Sequence, residues 1–165
     1  MKQLIIVRHA KSSWADPDQR DFDRPLNGRG ERNAPEMARR LEARGVRPQL
    51  IVASGARRAH ATAKLMAGVF GYAEADIAIV DALYETSPRV WLAQIRALPA
   101  SVDTVMMVGH NPEITALVAE LCPEAHIDNV PTCGVLCLDY EVRDWAGIAR
   151  AKPVHWDFDY PKKKG

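Results

Sequence analysis

A surplus of charge of either sign is missing from this sequence. It has 22 lysines and arginines against 21 aspartates and glutamates in 165 residues, so no overall field draws the chain to nucleic acid or an anionic membrane. Any anion binding must be local. Cysteines at metal-ligand spacing are missing too. Cys122, Cys133 and Cys137 are odd in number, and the last two lie in an apolar stretch, which reads as buried free thiols. No apolar run is long enough for a spanning helix or a signal-peptide core, because Met1-Lys2-Gln3 leads directly into the short segment Leu4-Ile5-Ile6-Val7. A reducing cytoplasm is the expected compartment. Repeats and low-complexity linkers are absent as well.

The hydrophobic fraction, 47%, suffices for one core without disulfides or metal. One domain is expected over 1–160. The Lys162-Lys163-Lys164 run reads as part of a disordered, solvated tail at 161–165.

Apolar β-branched runs alternate with helical patterns. Strands are expected at about 2–8, 49–53, 77–80 and 102–108, and helices at about 28–44, 56–70, 88–98 and 112–121. Leu50-Ile51-Val52-Ala53 and Val105-Met106-Met107-Val108 are apolar on both faces, as strands are when helices cover a sheet on each side. The pattern predicts an α/β three-layer sandwich with a mostly parallel central sheet. Two closing strands, 134–140 and about 147–156, suggest an edge hairpin around Arg143-Asp144. Pro35 interrupts the first helical pattern, so either Asn33 restarts that helix or Pro35 kinks it.

In an open α/β sheet, ligands bind beyond the carboxyl ends of the strands. Three such ends stand out: Arg8-His9-Ala10-Lys11-Ser12, Ser54 with Arg57 and Arg58 in the next turn, and Gly109-His110-Asn111-Pro112. Two arginines and two histidines would make a pocket rich in donors and poor in carboxylates, suited to a phosphoryl group. Helical phase puts Arg58 with Thr62, Leu65 and Val69 on the inward face and Arg57 outside, with Ser54 as the expected helix cap. A metal site is disfavoured by the fixed charges of Arg8 and Arg58 and by the lack of carboxylates at ligand spacing. His60, His126 and His155 need only structural roles. Trp14 falls in the 13–20 loop, as packing or as a rim of the pocket.

Together with Ser54-x-x-x-Arg58-Ala59-x-x-Thr62-Ala63 and Gly109-His110-Asn111-Pro112, the Arg8-His9 segment resembles the histidine phosphatase superfamily of phosphoglycerate mutase-like fold. Asp21-Phe22-Asp23-Arg24-Pro25-Leu26 and Leu83-Tyr84-Glu85 are similar to its short SixA-like phosphohistidine phosphatase branch. The resemblance implies attack of neutral His9 on phosphorus, giving a phosphohistidine that water hydrolyses. Arg8, Arg58 and a protonated His110 would surround the transferring group, so a bell-shaped pH profile is expected. The general acid is open between Asp21 and Glu85, with Asp23 as a shifted alternative to Asp21; each could equally pair with Arg24. Lys11, Ser12, Arg24 and Asn111 are candidate substrate contacts.

The expected activity is a phosphatase without cofactor or metal. Its expected partners are a phosphorylated protein or a small phosphate ester, with no nucleic acid and no membrane, and the chain is expected to be a monomer or weak dimer. A phosphoglycerate-type mutase and a non-catalytic phospho-ligand module are the alternatives. The short chain, without long covering insertions, disfavours the mutase.

Overall fold

The structure is a computed structural model, described over residues 1–163. Six strands form one sheet: β1 (Lys2–Arg8), β2 (Leu50–Ala53), β3 (Ala78–Ile79), β4 (Thr104–Gly109), β5 (Val135–Tyr140) and β6 (His155–Asp159), in the order β3-β2-β4-β1-β5-β6. The four strands from β3 to β1 run parallel, while β5 and β6 close the other side antiparallel. Four helices flank the sheet: α1 (Gly28–Ala43), α2 (Arg57–Phe70), α3 (Pro88–Arg96) and α4 (Glu113–Leu121). This is the expected three-layer α/β sandwich.

The alternation of side chains along β1 builds both layers. Ile5 and Val7 face a core shared with Met37 and Leu41 of α1 and Met66 and Phe70 of α2. Leu4 and Ile6 face the opposite core, with Trp91 and Ile95 of α3 and Ile114 and Leu117 of α4. All four β1 residues are fully buried, each contributing about 1.5–3 kcal/mol. At the amino end of the sheet, the buried Lys2 ammonium donates to the carbonyls of Ala100 and Val102 and to Asp103.

The sequence boundaries hold to within two residues for the helices, and Pro35 lies inside a continuous α1 capped by Asn27. The closing edge needs correction. The segment after β5 is not a second strand at 147–156 but a 3₁₀ helix over Trp145–Arg150, and β6 begins only at His155. Trp145 and Ile148, three residues apart, are both buried, and the Trp145 indole N–H donates to the Val102 carbonyl at 2.8 Å. An i,i+3 burial pattern suits a 3₁₀ turn and not a strand. β3 is also shorter than expected, at two residues.

Of the expected tail, Pro161 and Lys163 offer carbonyls to Arg40. The final two residues of that expectation lie outside the described residues.

Candidate active site

The sheet register aligns three chain ends. Arg8 of β1 pairs with Gly109 of β4, and Ala53 of β2 pairs with Val108, so His9, Ser54 and His110 emerge side by side at the carboxyl edge. Because β5 runs the other way and starts at Val135 beside Val7, the loop before it joins the same edge. Two glycines let backbone approach closely. A Cβ at Gly109 would overlap the Trp91 ring, and one at Gly30 would overlap the Lys11 carbonyl oxygen.

His9 is fixed by its own backbone. Its N–H donates to the Gly109 carbonyl at 2.9 Å, and its carbonyl accepts from the Cys133 N–H at 3.0 Å. The ring Nδ1 lies 2.8 Å from the Ala10 carbonyl oxygen. A carbonyl can only accept, so Nδ1 carries the proton and Nε2 holds the lone pair. Burial drives the His9 pKa down to about 3, against the pull of the Ala10 carbonyl, with His110, Arg58 and Arg8 adding to the fall. Thr62 locks the next peptide, accepting from the Ala10 N–H at 2.9 Å and donating to the Arg58 carbonyl at 2.7 Å.

The His110 ring lies 5.2 Å from that of His9, centroid to centroid. Its Nε2 meets Ser54 Oγ at 2.8 Å, and its buried Nδ1 has no partner. Burial lowers its pKa to about 4, with Arg58 and Arg8 helping and Asp21 opposing. Both rings are therefore neutral at pH 7 in the ligand-free protein. The expected protonated His110 is corrected for this state, because a buried ring beside two guanidinium groups sheds its proton. Ser54 is not the cap residue of α2 as expected: the cap position is Ala56, and the Ser54 hydroxyl accepts from the Ala56 N–H at 3.2 Å while it also holds His110.

Arg58 is buried on the inward face of α2, and Arg57 is exposed, as helical phase indicates. Its Nη1 donates to the Asp21 carbonyl at 2.7 Å and its Nη2 to the Asp21 carboxylate at 3.0 Å. Asp21 also accepts from Arg24 at 3.0 Å and from the Tyr84 hydroxyl at 2.6 Å. Partial burial works against ionisation of Asp21, but the hydrogen bonds from Tyr84, Arg58 and Arg24 hold its pKa at about 2. Arg8 Nη1 donates to the Val130 carbonyl at 2.9 Å, and its buried Nε is unpartnered.

The other candidates divide. Glu85 is exposed, with φ of 50°, on the wall of a cavity of about 240 Å³ shared with Asp21, Arg58, Tyr84, His110 and Glu113. It follows a 3₁₀ turn over Asp81–Leu83 and not the strand-like segment expected. Asp23 turns away to pair with Arg20.

Two substrate-contact expectations meet committed side chains. Every donor nitrogen of Arg24 is engaged, by Ser13, Asp21 and Ser12, and its guanidinium stacks on Trp14. Ser12 is thereby an acceptor for Arg24. Asn111 donates to Val130 and Asn129 and accepts twice from Thr115, leaving nothing polar for a ligand. Lys11 is exposed and lines a separate cavity.

Sequence reading missed Tyr84 as a partner of Asp21, and it missed Glu113, buried with Oε2 accepting from the Thr86 N–H at 3.4 Å. A glutamate in the first turn of a helix is common, so nothing set Glu113 apart.

The sequence model of the histidine phosphatase superfamily, branch 1, matches residues 4–97, more than half of the chain. The chain belongs to the histidine phosphatase superfamily. Within it the chain is SixA-like. The crystal structure of the Agrobacterium tumefaciens protein assigned as phosphohistidine phosphatase SixA is 33% identical, with a TM-score of 0.81 over 97% of this chain and 98% of that one. The protein histidine phosphatase SixA complexed with tungstate shares the fold at 22% identity, with a TM-score of 0.77 over 96% of this chain and 94% of that one.

Among curated sequences, an uncharacterised chloroplastic protein of Arabidopsis thaliana is 36% identical over 118 residues. That match covers 67% of this SixA-like chain and 54% of the plant protein, so the chain spans about half the length of that relative. Among the described residues, no helix of this histidine phosphatase is long and apolar enough to cross a membrane.

Proposed function

We propose that this chain is a phosphatase that passes the phosphoryl group through His9, acting on phosphohistidine proteins or small phosphomonoesters. The observation that carries the reading is the His9 ring. Its Nδ1–H is held by the Ala10 carbonyl, which leaves the neutral Nε2 with the lone pair and, among the described residues, without a hydrogen bond, close to the charges of Arg8 and Arg58 and to His110.

In the first step the Nε2 lone pair attacks phosphorus, the P–N bond forms, and the bond to the leaving group breaks with its electron pair. In the second, water attacks phosphorus, the His9 bond breaks, and inorganic phosphate leaves. Arg8 and Arg58 balance charge on the equatorial oxygens. The unpartnered His110 Nδ1 gains an acceptor when it carries the proton, with Ser54 O–H donating to Nε2. Arg58 keeps its hold on Asp21 while it meets the phosphoryl group, and Asp21 serves as its positioning residue.

Asp21, held at about 2 and engaged by three side chains, has no proton to give. Glu85, exposed on the cavity wall, is the carboxyl that this reading assigns to protonating an alkoxide. A leaving imidazole demands less from that acid, which favours phosphohistidine as substrate.

The test incubates wild type and His9→Ala with an aryl phosphate and with a histidine-phosphorylated protein, chelator present. The expected result is phosphate release and an acid-labile label on the enzyme, both requiring His9. Release that survives in His9→Ala would overturn the reading.

A further inference from the structure

We propose that the cavity lined by Lys11, Arg29 and Lys162 binds a second anionic group of the phosphorylated substrate, a carboxylate or another phosphate. The protein would thereby favour substrates that are acidic beside the phosphoryl group. The proposal rests on His9 as the phosphoryl acceptor.

The cavity, of about 250 Å³, adds the polar side chains of Asn33, Thr132 and Tyr160, and among the described residues no carboxylate lines it. A chain with a net charge of only +1 gathers three cations here. Among the described residues, neither Lys11 nor Arg29 forms a salt bridge. Two carboxylates on adjoining segments, Glu36 of α1 and Asp159 of β6, are both taken by Arg40.

The walls of this cavity hang on the backbone that carries the nucleophile. Lys11 is two residues past His9, so their Cα atoms lie within about 7.6 Å. Thr132 precedes Cys133, whose N–H donates to the carbonyls of both Arg8 and His9 at 3.0 Å. Lys11 itself is fixed, its carbonyl accepting from the Asn27 N–H at 3.0 Å with Gly30 packed against it. The cavity on the Arg58 side carries the opposite sign beyond the arginine, with Asp21, Glu85 and Glu113 in its wall. A substrate with a carboxylate a few residues from its phosphorylated side chain is repelled from one flank and matched by the other.

The experiment compares two phosphohistidine peptides that differ only in flanking Asp and Glu against Asn and Gln, together with a small bisphosphate and its monophosphate. The expected result is a preference of about tenfold in kcat/KM for the acidic peptide, the scale of two partly exposed charge-assisted contacts. That ratio falls to about one in the Arg29→Gln/Lys162→Gln double variant, and wild type loses it in 0.5 M salt. A gain confined to peptides assigns the second group to protein substrates, and an equal gain for the bisphosphate assigns it to small ones. A ratio near one in wild type, or one that persists in the double variant, overturns the proposal. Absence of His9-dependent release from every substrate instead overturns the reading of His9 beneath it.

Discussion

Buried, neutral histidines make this fold sensitive to acid in a calculable way. His9 and His110 have pKa values lowered to about 3 and about 4 from 6.5, and both rings are buried in the folded chain. Above pH 6.5 neither the folded nor the unfolded state protonates them, so they add no pH dependence. Below it the unfolded chain takes up protons that the folded chain refuses, and stability falls with pH until the folded rings titrate.

At pH 5 each ring lies about 1.5 pH units below its unfolded pKa, a loss of about 2 kcal/mol per ring at about 1.36 kcal/mol per unit. Wild type should therefore be about 4 kcal/mol less stable at pH 5 than at pH 8. Asp21, held near 2, stays ionised over that window and adds nothing. Urea unfolding of wild type, His9→Gln and His110→Gln at both pH values isolates the effect, since each variant removes one titrating ring and leaves the rest. Each should lose about 2 kcal/mol of the pH dependence, whatever its absolute stability. Curves for wild type and both variants that fall in parallel would refute the assignment of neutral, buried rings.

Three further outcomes are expected. With the ionisation of an aryl phosphate corrected for, kcat/KM should show no enzyme limb between pH 5 and 8, because His9 is already neutral there; a limb near 6.5 would contradict its burial. Asp21→Asn should lower kcat/KM about tenfold by releasing Arg58. It should also let the Tyr84 phenol, pushed up to about 12 by burial and by Asp21, titrate closer to 10, read by ultraviolet absorbance against Tyr84→Phe; an unmoved phenol breaks the proposed link. Gly30→Ala should cost about 1–3 kcal/mol in thermal or urea unfolding, since the added methyl meets a backbone carbonyl that cannot step aside, and an unchanged midpoint would show that α1 shifts freely.

The layers were legible because the central strands carry apolar residues on both faces, a pattern that only a covered sheet satisfies. The positions of His9, Arg58 and His110 were legible for a similar reason: strand ends are readable, and parallel strands bring their ends together. What escaped reading was pairwise. Ser54 looked like a helix cap because capping and side-chain bonding use the same hydroxyl, and only the register of β2 against β4 places it beside His110. Asp21 stood open between an acid and a partner of Arg24, because a carboxylate in a loop shows no long-range partner in sequence. Its grip on Arg58, 37 positions away, depends on how the 13–24 loop folds over α2. The closing strand was misplaced because burial of Trp145 and Ile148, and with it their three-residue spacing on one side of a 3₁₀ turn, shows only in the fold, where the Trp145 indole meets the Val102 carbonyl.

The central place of β1 also bears on how the protein comes into being. Of the six strands in this sheet, the one that carries His9 is made before the others, yet its two neighbours begin at Thr104 and Val135. At synthesis rates of about 5–20 residues per second, on the order of ten seconds separates His9 from the last strand that flanks it. Before residues 104–110 are made, His9 sits on an apolar strand with neither sheet neighbour, and the Val130 carbonyl that holds Arg8 follows about twenty residues later, just ahead of β5. The arrangement of His9, Arg8 and His110 is consequently a late property of the polypeptide. Pairings spanning more than a hundred positions make it slow to acquire and a sensitive report of completed folding.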